Sequence, residues 1–147
     1  MANLAENRRA RFDYEILETY EAGIELRGFE VKAIKAGKVS LAGAFAVPRG
    51  AEIWLINMDI APYQAGNAPA DYKSDRPRRL LLNKAEIAEM VGKIKERGLT
   101  ILPLKVYNKG NLLKVELGLG RGKRGPDKRE AIKKKDIARE VGRRLKR

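Results

Sequence analysis

ILPLKVYNKGNLLKVELGL, Ile101–Leu119, decides the fold. Leu113, Val115, Leu117 and Leu119 alternate with Lys114, Glu116 and Gly118, the two-residue period of a strand with one face in a core. ILPLKVY (Ile101–Tyr107) is a second apolar, β-prone run. The four residues NKGN between the two runs are turn formers, so the pair is predicted to be an antiparallel hairpin.

Working outward, NKAE at Asn83–Glu86 has the spacing of a capping box, with Leu82 and Ile87 placed as a hydrophobic staple. Ile87, Met90, Val91 and Ile94 then form one apolar stripe, and Gly98 is a helix stop. The hairpin is thus preceded by an amphipathic helix. GFEVKAIKAGK (Gly28–Lys38) reads as a second, shorter helix, with Val31 and Ile34 three apart and Gly37 as a left-handed terminator. Tyr14–Leu26 reads as a strand interrupted at Gly23. LAGAFAV (Leu41–Val47) reads as another, turning at PRGAE. In EIWLINMDI (Glu52–Ile60) the pattern predicts one strand with Trp54, Ile56, Met58 and Ile60 on a single face. Pro62–Arg79 holds three of the six prolines and no apolar period, which predicts a long loop.

About six strands with two to three short helices imply a mainly β fold. The expected architecture is a closed or nearly closed antiparallel barrel, with the oligonucleotide-binding barrel as nearest analogy. Analogy of fold does not assign a function.

Composition narrows the function. The 147-residue chain has neither histidine nor cysteine. Thiolate chemistry and disulfides are therefore excluded, and the usual neutral-pH general base and commonest transition-metal ligand are missing. Catalysis would rest on carboxylates, Lys or Tyr, and Glu15, Glu18, Glu21 and Glu25 read as a strand exterior rather than a catalytic set. No enzyme activity and no cofactor are expected. No apolar run is long enough to cross a bilayer, and MANLAENRRARF has no apolar block behind its charges, so a cytoplasmic location is expected.

Charge is unevenly divided. Residues 121–147 carry 13 Lys or Arg against 4 Asp or Glu, most of the chain's formal +13. This predicts a barrel over 1–120 and a basic tail over 121–147, joined by a flexible hinge at Gly120–Pro126. Such a block also suits a tail that only aids solubility. Yet Ile137, Val141 and Leu145 recur every four residues, which predicts a tail that becomes helical once phosphates neutralise it. Further basic clusters are Arg8, Arg9 and Arg11 beside Phe12 and Tyr14; Lys32, Lys35 and Lys38; and Arg78 with Arg79. Singly these fit solvated faces or residues snorkelling at a strand end. Together they point to a nucleic-acid surface.

The segments NRRARFDYEILETYEAGIEL, GFEVKAIKAGK, IAPYQAGN, RRLLLNKAEI, GLTILPLKVY, LLKVELGLGRGKR and DKRE, running in order from Asn7 to Glu130, resemble the small protein B (SmpB) family. These are the SsrA- or tmRNA-binding proteins of bacterial ribosome rescue. The resemblance implies an oligonucleotide-binding-like barrel that holds the tRNA-like domain of tmRNA and replaces its missing anticodon arm. It implies entry into a stalled 70S ribosome with elongation factor EF-Tu. The tail would then probe the 16S rRNA decoding centre and the empty mRNA channel. By motif, Asn7, Glu21, Leu81 and Lys114 match positions that hold the tRNA-like domain, with Arg8, Arg9 and Arg11 adding phosphate contacts. Gly122, Lys123, Arg124, Asp127, Lys128 and Arg129 match the tail root, which acts on the ribosome, and Lys133, Lys134 and Lys135 continue it. Pro126 stands where many relatives have His, and Ile137 where some have an aromatic. The competing expectation is a structural ribosomal protein that clamps rRNA with a barrel and a basic extension.

Overall fold

The computed structural model describes residues 3–64, 66 and 68–123. Nine strands and three helices follow one another among them: β1 (Asn3–Glu6), α1 (Arg8–Asp13), β2 (Tyr14–Ile24), α2 (Gly28–Lys35), β3 (Val39–Ser40), β4 (Phe45–Arg49), β5 (Glu52–Ile56), β6 (Asp59–Ile60), β7 (Arg78–Leu81), α3 (Lys84–Arg97), β8 (Thr100–Lys109) and β9 (Leu112–Gly122). The main sheet runs β1-β8-β4-β5-β7-β2-β9, and β8 also pairs with β9. The six strands β8, β4, β5, β7, β2 and β9 therefore close a ring, while β1 lies along the far part of β8. Closure is uneven. The β8–β9 hairpin is long, whereas β4 meets β8 only at Ala46–Ile101 and β2 meets β7 only at Gly23–Leu81 and Ile24–Leu80. The architecture is the expected nearly closed antiparallel barrel with helices on its flank.

The ring is filled as the alternation of β9 requires. Val115, Leu117 and Leu119 are wholly buried and meet Ile53, Leu55, Leu80 and Ile101 from the other strands. Ile34 of α2 and Met90 of α3 close the core from outside the ring. Asn83 caps α3 through Glu86 N–H to Oδ1 at 2.8 Å, and Gly98 ends it at φ 65°. After α2, Gly37 at φ 81° lets Lys38 N–H return to Ala33 O at 2.9 Å. Lys38 thus lies past the helix and does not share a helical face with Lys32 and Lys35.

Several sequence expectations need correction. Trp54 and Ile56 do not share a face with Met58 and Ile60. Ile53 and Leu55 are the buried residues of β5, and Asn57 at φ 66° breaks the strand and shifts its phase before Met58 and Ile60 turn inward. Leu41–Ala44 is a turn about Gly43, at φ 75°, rather than the start of a strand. Arg78 and Arg79 belong to β7, not to the preceding loop. β9 continues to Gly122, so Gly120, read as the start of a hinge, is a strand residue opposite Ile16 and Thr100. Residues 121 and 122, expected to open the tail and its hinge, are likewise strand residues of β9. The tail and hinge from residue 124 onward lie outside the described residues.

The long segment between β6 and β7 is tied down by a buried charge. Glu30 of α2 is wholly buried, and its carboxylate accepts from Arg76 Nη2 at 2.5 Å, Arg78 Nη2 at 2.6 Å and Arg27 N–H at 2.8 Å. The Tyr72 hydroxyl lies 3.0 Å from the same carboxylate, and Arg78 Nη1 donates to Met58 O at 2.5 Å. Burial opposes ionisation of Glu30, but the bonds from Arg76, Arg27 and Arg78, with the Arg78 charge, outweigh it and lower its pKa to about 2. A chain segment with few apolar residues is held by ionic hydrogen bonds instead.

Candidate nucleic-acid interface

The outer wall built by β1, β8, β9 and β2 gathers the residues singled out by motif. Asn7 joins β1 to α1. Its N–H donates to Leu104 O at 2.8 Å and its Nδ2 to Pro103 O at 3.0 Å, which fixes the side chain against β8. The amide oxygen makes no hydrogen bond with a described residue, so an acceptor is left for a ligand. A small second core of Ala10, Leu102 and Leu104, packed by Tyr14, Ile16 and Phe45, holds α1 onto the wall. The close approach depends on Gly118, where a Cβ would stand 3.0 Å from both Ile16 Cγ2 and Leu104 Cδ1. Arg8 and Arg11 consequently border a hollow of about 390 Å³ with Asn3, Glu6, Asn7, Lys105 and Glu116. Neither arginine forms an ion pair among the described residues. Arg9 is already engaged, bonded to Asp13 at 3.1 Å and stacked on Phe12 at 4.7 Å.

Glu21 occupies the middle of the wall. It lies opposite Glu116 in the β2–β9 register, and its carboxylate accepts from the Tyr107 hydroxyl and from Lys109 Nζ, the latter at 2.9 Å. The Tyr107 bond, then the Lys109 bond, lower the Glu21 pKa, so the group is a carboxylate at neutral pH. An acid that carries its charge cannot serve phosphates. Its chemistry suits neutral donors such as amino, imino or hydroxyl groups.

Lys114 is opposite Tyr107 and two residues from Glu116, so all three share the outer face. It also borders a groove of about 350 Å³ with Gly23, Ile24, Val31, Leu81 and Leu112. Leu81 is 44% exposed and Leu112 61% exposed there, an apolar edge beside a lysine. Glu116 borders the hollow at Asn7 and Lys114, two residues before it on β9, borders the groove at Leu81, with Glu21 opposite Glu116 on the neighbouring strand. Lys32 and Lys35 are exposed on α2, next to Val31.

The basic pair of β7 separates into two environments. Arg78 has no exposed surface and is consumed by Glu30, Met58 and Tyr72, so it is a fold residue and not the RNA contact expected from its charge. Arg79 is half-exposed and shared between Glu52 at 3.3 Å and Glu25 at 3.8 Å. Gly122 ends β9 opposite Tyr14, and Lys123 N–H donates to Asp13 O at 3.0 Å. Arg124, Asp127, Lys128, Arg129, Lys133, Lys134 and Lys135 lie outside the described residues. Sequence reasoning missed Tyr107 and Lys109. The alternation Lys105, Tyr107, Lys109 on one strand face was the available signal, obscured because tyrosine in an apolar run reads as core. Among the described residues no cluster of three or more Asp or Glu could hold a metal ion.

Fold and surface together define a small oligonucleotide-binding-type barrel protein with a polar outer wall that carries exposed arginines and lysines. The chain belongs to the SmpB protein family, whose model matches residues 4–147. It is 53% identical over 138 residues to the SsrA-binding protein of Carboxydothermus hydrogenoformans, covering 94% of this chain and 92% of that protein. It is 50% identical over 144 residues to the SsrA-binding protein of Synechocystis sp., covering 98% and 94%. A solved structure described as "tmRNA-SmpB: a journey to the center of the bacterial ribosome" matches with a TM-score of 0.67 and 51% identity, covering 86% of this chain and 92% of that one.

Proposed function

We propose that this protein binds tmRNA and serves trans-translation, the rescue of stalled ribosomes, with the barrel wall holding the tRNA-like domain. The observation that carries the reading is the placement of Asn7, Glu21, Lys114 and Leu81 at neighbouring positions of one outer wall. Each part of that face suits a different part of a folded RNA. Arg8 and Arg11 meet phosphates, Glu21 meets neutral donors, and the Leu81–Leu112 edge takes the apolar face of an unstacked base or ribose. Lys114 sits between the last two. Such a surface reads shape and unpaired nucleotides, as a transfer-RNA mimic requires, rather than a duplex groove.

The remaining steps extend this reading. The charged tmRNA enters the ribosome with EF-Tu, and the barrel occupies the volume of the absent anticodon arm. The tail, rooted at Gly122 and Lys123 and carrying Asp127, Lys128 and Arg129, lies in the decoding centre and the vacant mRNA channel. Intact mRNA fills that path, so vacancy is read by sterics and charge. The work is cytoplasmic because the ribosome is. Cutting the chain after Lys123 is the direct test. Binding of tmRNA is expected to persist while peptide tagging on a non-stop message is lost. Full tagging by the truncated chain would overturn the assigned roles, and loss of tmRNA binding would move recognition into the tail.

A further inference from the structure

Glu21 is held from a distance. Tyr107 belongs to β8, and its hydroxyl reaches over the intervening β9 to bond a carboxylate on β2. Its ring is only 6% exposed, with Asn3 of β1 and Lys114 of β9 as register partners and the Lys105 ammonium 5.5 Å from its centroid. A ring so enclosed has little rotational freedom, so the hydroxyl is a fixed donor. Lys109, on the same face of β8, donates to the other Glu21 oxygen at 2.9 Å. A carboxylate has about four lone-pair sites, so each oxygen keeps acceptor capacity after these two bonds. Without them an exposed glutamate would sample many rotamers and lose that freedom on binding.

We infer that Tyr107 is the positioning residue for Glu21, holding its carboxylate as an oriented two-oxygen acceptor for neutral N–H or O–H donors of the folded RNA. The inference rests on the reading of Glu21 as an RNA contact. It implies that Tyr107 contributes to affinity without touching RNA, and that its contribution exists only while Glu21 is present. A purely structural tyrosine would act on stability and independently of residue 21.

The experiment is a double-mutant cycle on the full chain with Tyr107→Phe, Glu21→Gln and the two combined, each titrated with the tRNA-like domain at several salt concentrations. The ring is kept in Tyr107→Phe, so thermal unfolding should be nearly unchanged. Its affinity should fall about fivefold to tenfold. Glu21→Gln should fall by at least as much, and the double variant should match Glu21→Gln alone. The dependence of affinity on salt should keep its slope in Tyr107→Phe, since no phosphate contact is lost. Losses that multiply, or a changed slope, would overturn the inference. Normal binding by Tyr107→Phe beside weakened Glu21→Gln would overturn it alone, leaving the interface intact. Normal binding by Glu21→Gln would remove the interface reading and the inference with it. Repeating the cycle on RNA with loop 2′-hydroxyls replaced by hydrogen separates the donors. Coupling that survives assigns them to bases and coupling that vanishes assigns them to ribose, both in keeping with the inference.

Discussion

Arg78 Nη2 lies 2.6 Å from Glu30 Oε2, and neither side chain has any exposed surface. The pair joins β7 to α2 at the barrel wall, and Arg76 and Tyr72 extend it to the segment that precedes β7. A basic residue expected at the RNA surface is thereby part of the interior.

Removing one member leaves the other charged and buried. Glu30→Gln is expected to destabilise the protein by about 3–5 kcal/mol, with Arg78 as the uncompensated ion. Urea unfolding monitored by Trp54 fluorescence measures it. A loss within the range of a surface ion pair, below about 1 kcal/mol, would show that the pair does not anchor the fold.

The same carboxylate sets the acid limb of stability. Its folded pKa is about 2 against an ordinary 4.5, so the unfolded chain takes up the proton first as pH falls. The contribution is fully present above the unfolded value and disappears as pH drops towards 2. It amounts to roughly 3 kcal/mol. Unfolding free energies between pH 5 and 2 should fall steeply for the native chain and much less for Glu30→Gln.

On the wall, Leu81→Ala and Lys114→Ala should separate contact from stability. Leu81 is half-exposed, so its truncation should cost under about 1 kcal/mol of stability yet weaken tmRNA binding severalfold. Lys114→Ala should weaken binding and, if the ammonium meets a phosphate, reduce the slope of log affinity against log salt by roughly 0.7–0.9. Unchanged affinity in both variants would place the RNA elsewhere.

Asn83→Ala removes the bond from Glu86 N–H that starts α3. About 1 kcal/mol of stability should be lost, while tmRNA affinity should stay unchanged because α3 is outside the proposed wall. Calorimetry and a binding titration on the same sample test both halves.

The Ile101–Leu119 hairpin and the α3 cap were legible because strand alternation and capping are local, decided within a few residues. The phase of Glu52–Ile60 was not. A left-handed Asn57 reverses which residues face inward, and nothing in the surrounding pattern demands that conformation. The Glu30–Arg78 pair spans 48 positions, and charge alone cannot say whether an arginine is solvated or enclosed. For the same reason the motif residues could be named in advance while the contacts that hold them could not. Glu21 stands in a recognisable motif, but Tyr107 reaches it only because β9 lies between their strands.

The end of β9 has a geometric consequence. Gly122 is paired with Tyr14 and Lys123 is bonded to Asp13, so the chain leaves the barrel from a surveyed point next to the helix that carries Arg8 and Arg11. The barrel is therefore a ruler. Any ligand seated on its wall would stand at a constant offset from residue 123, a distance written into a single pair of strands.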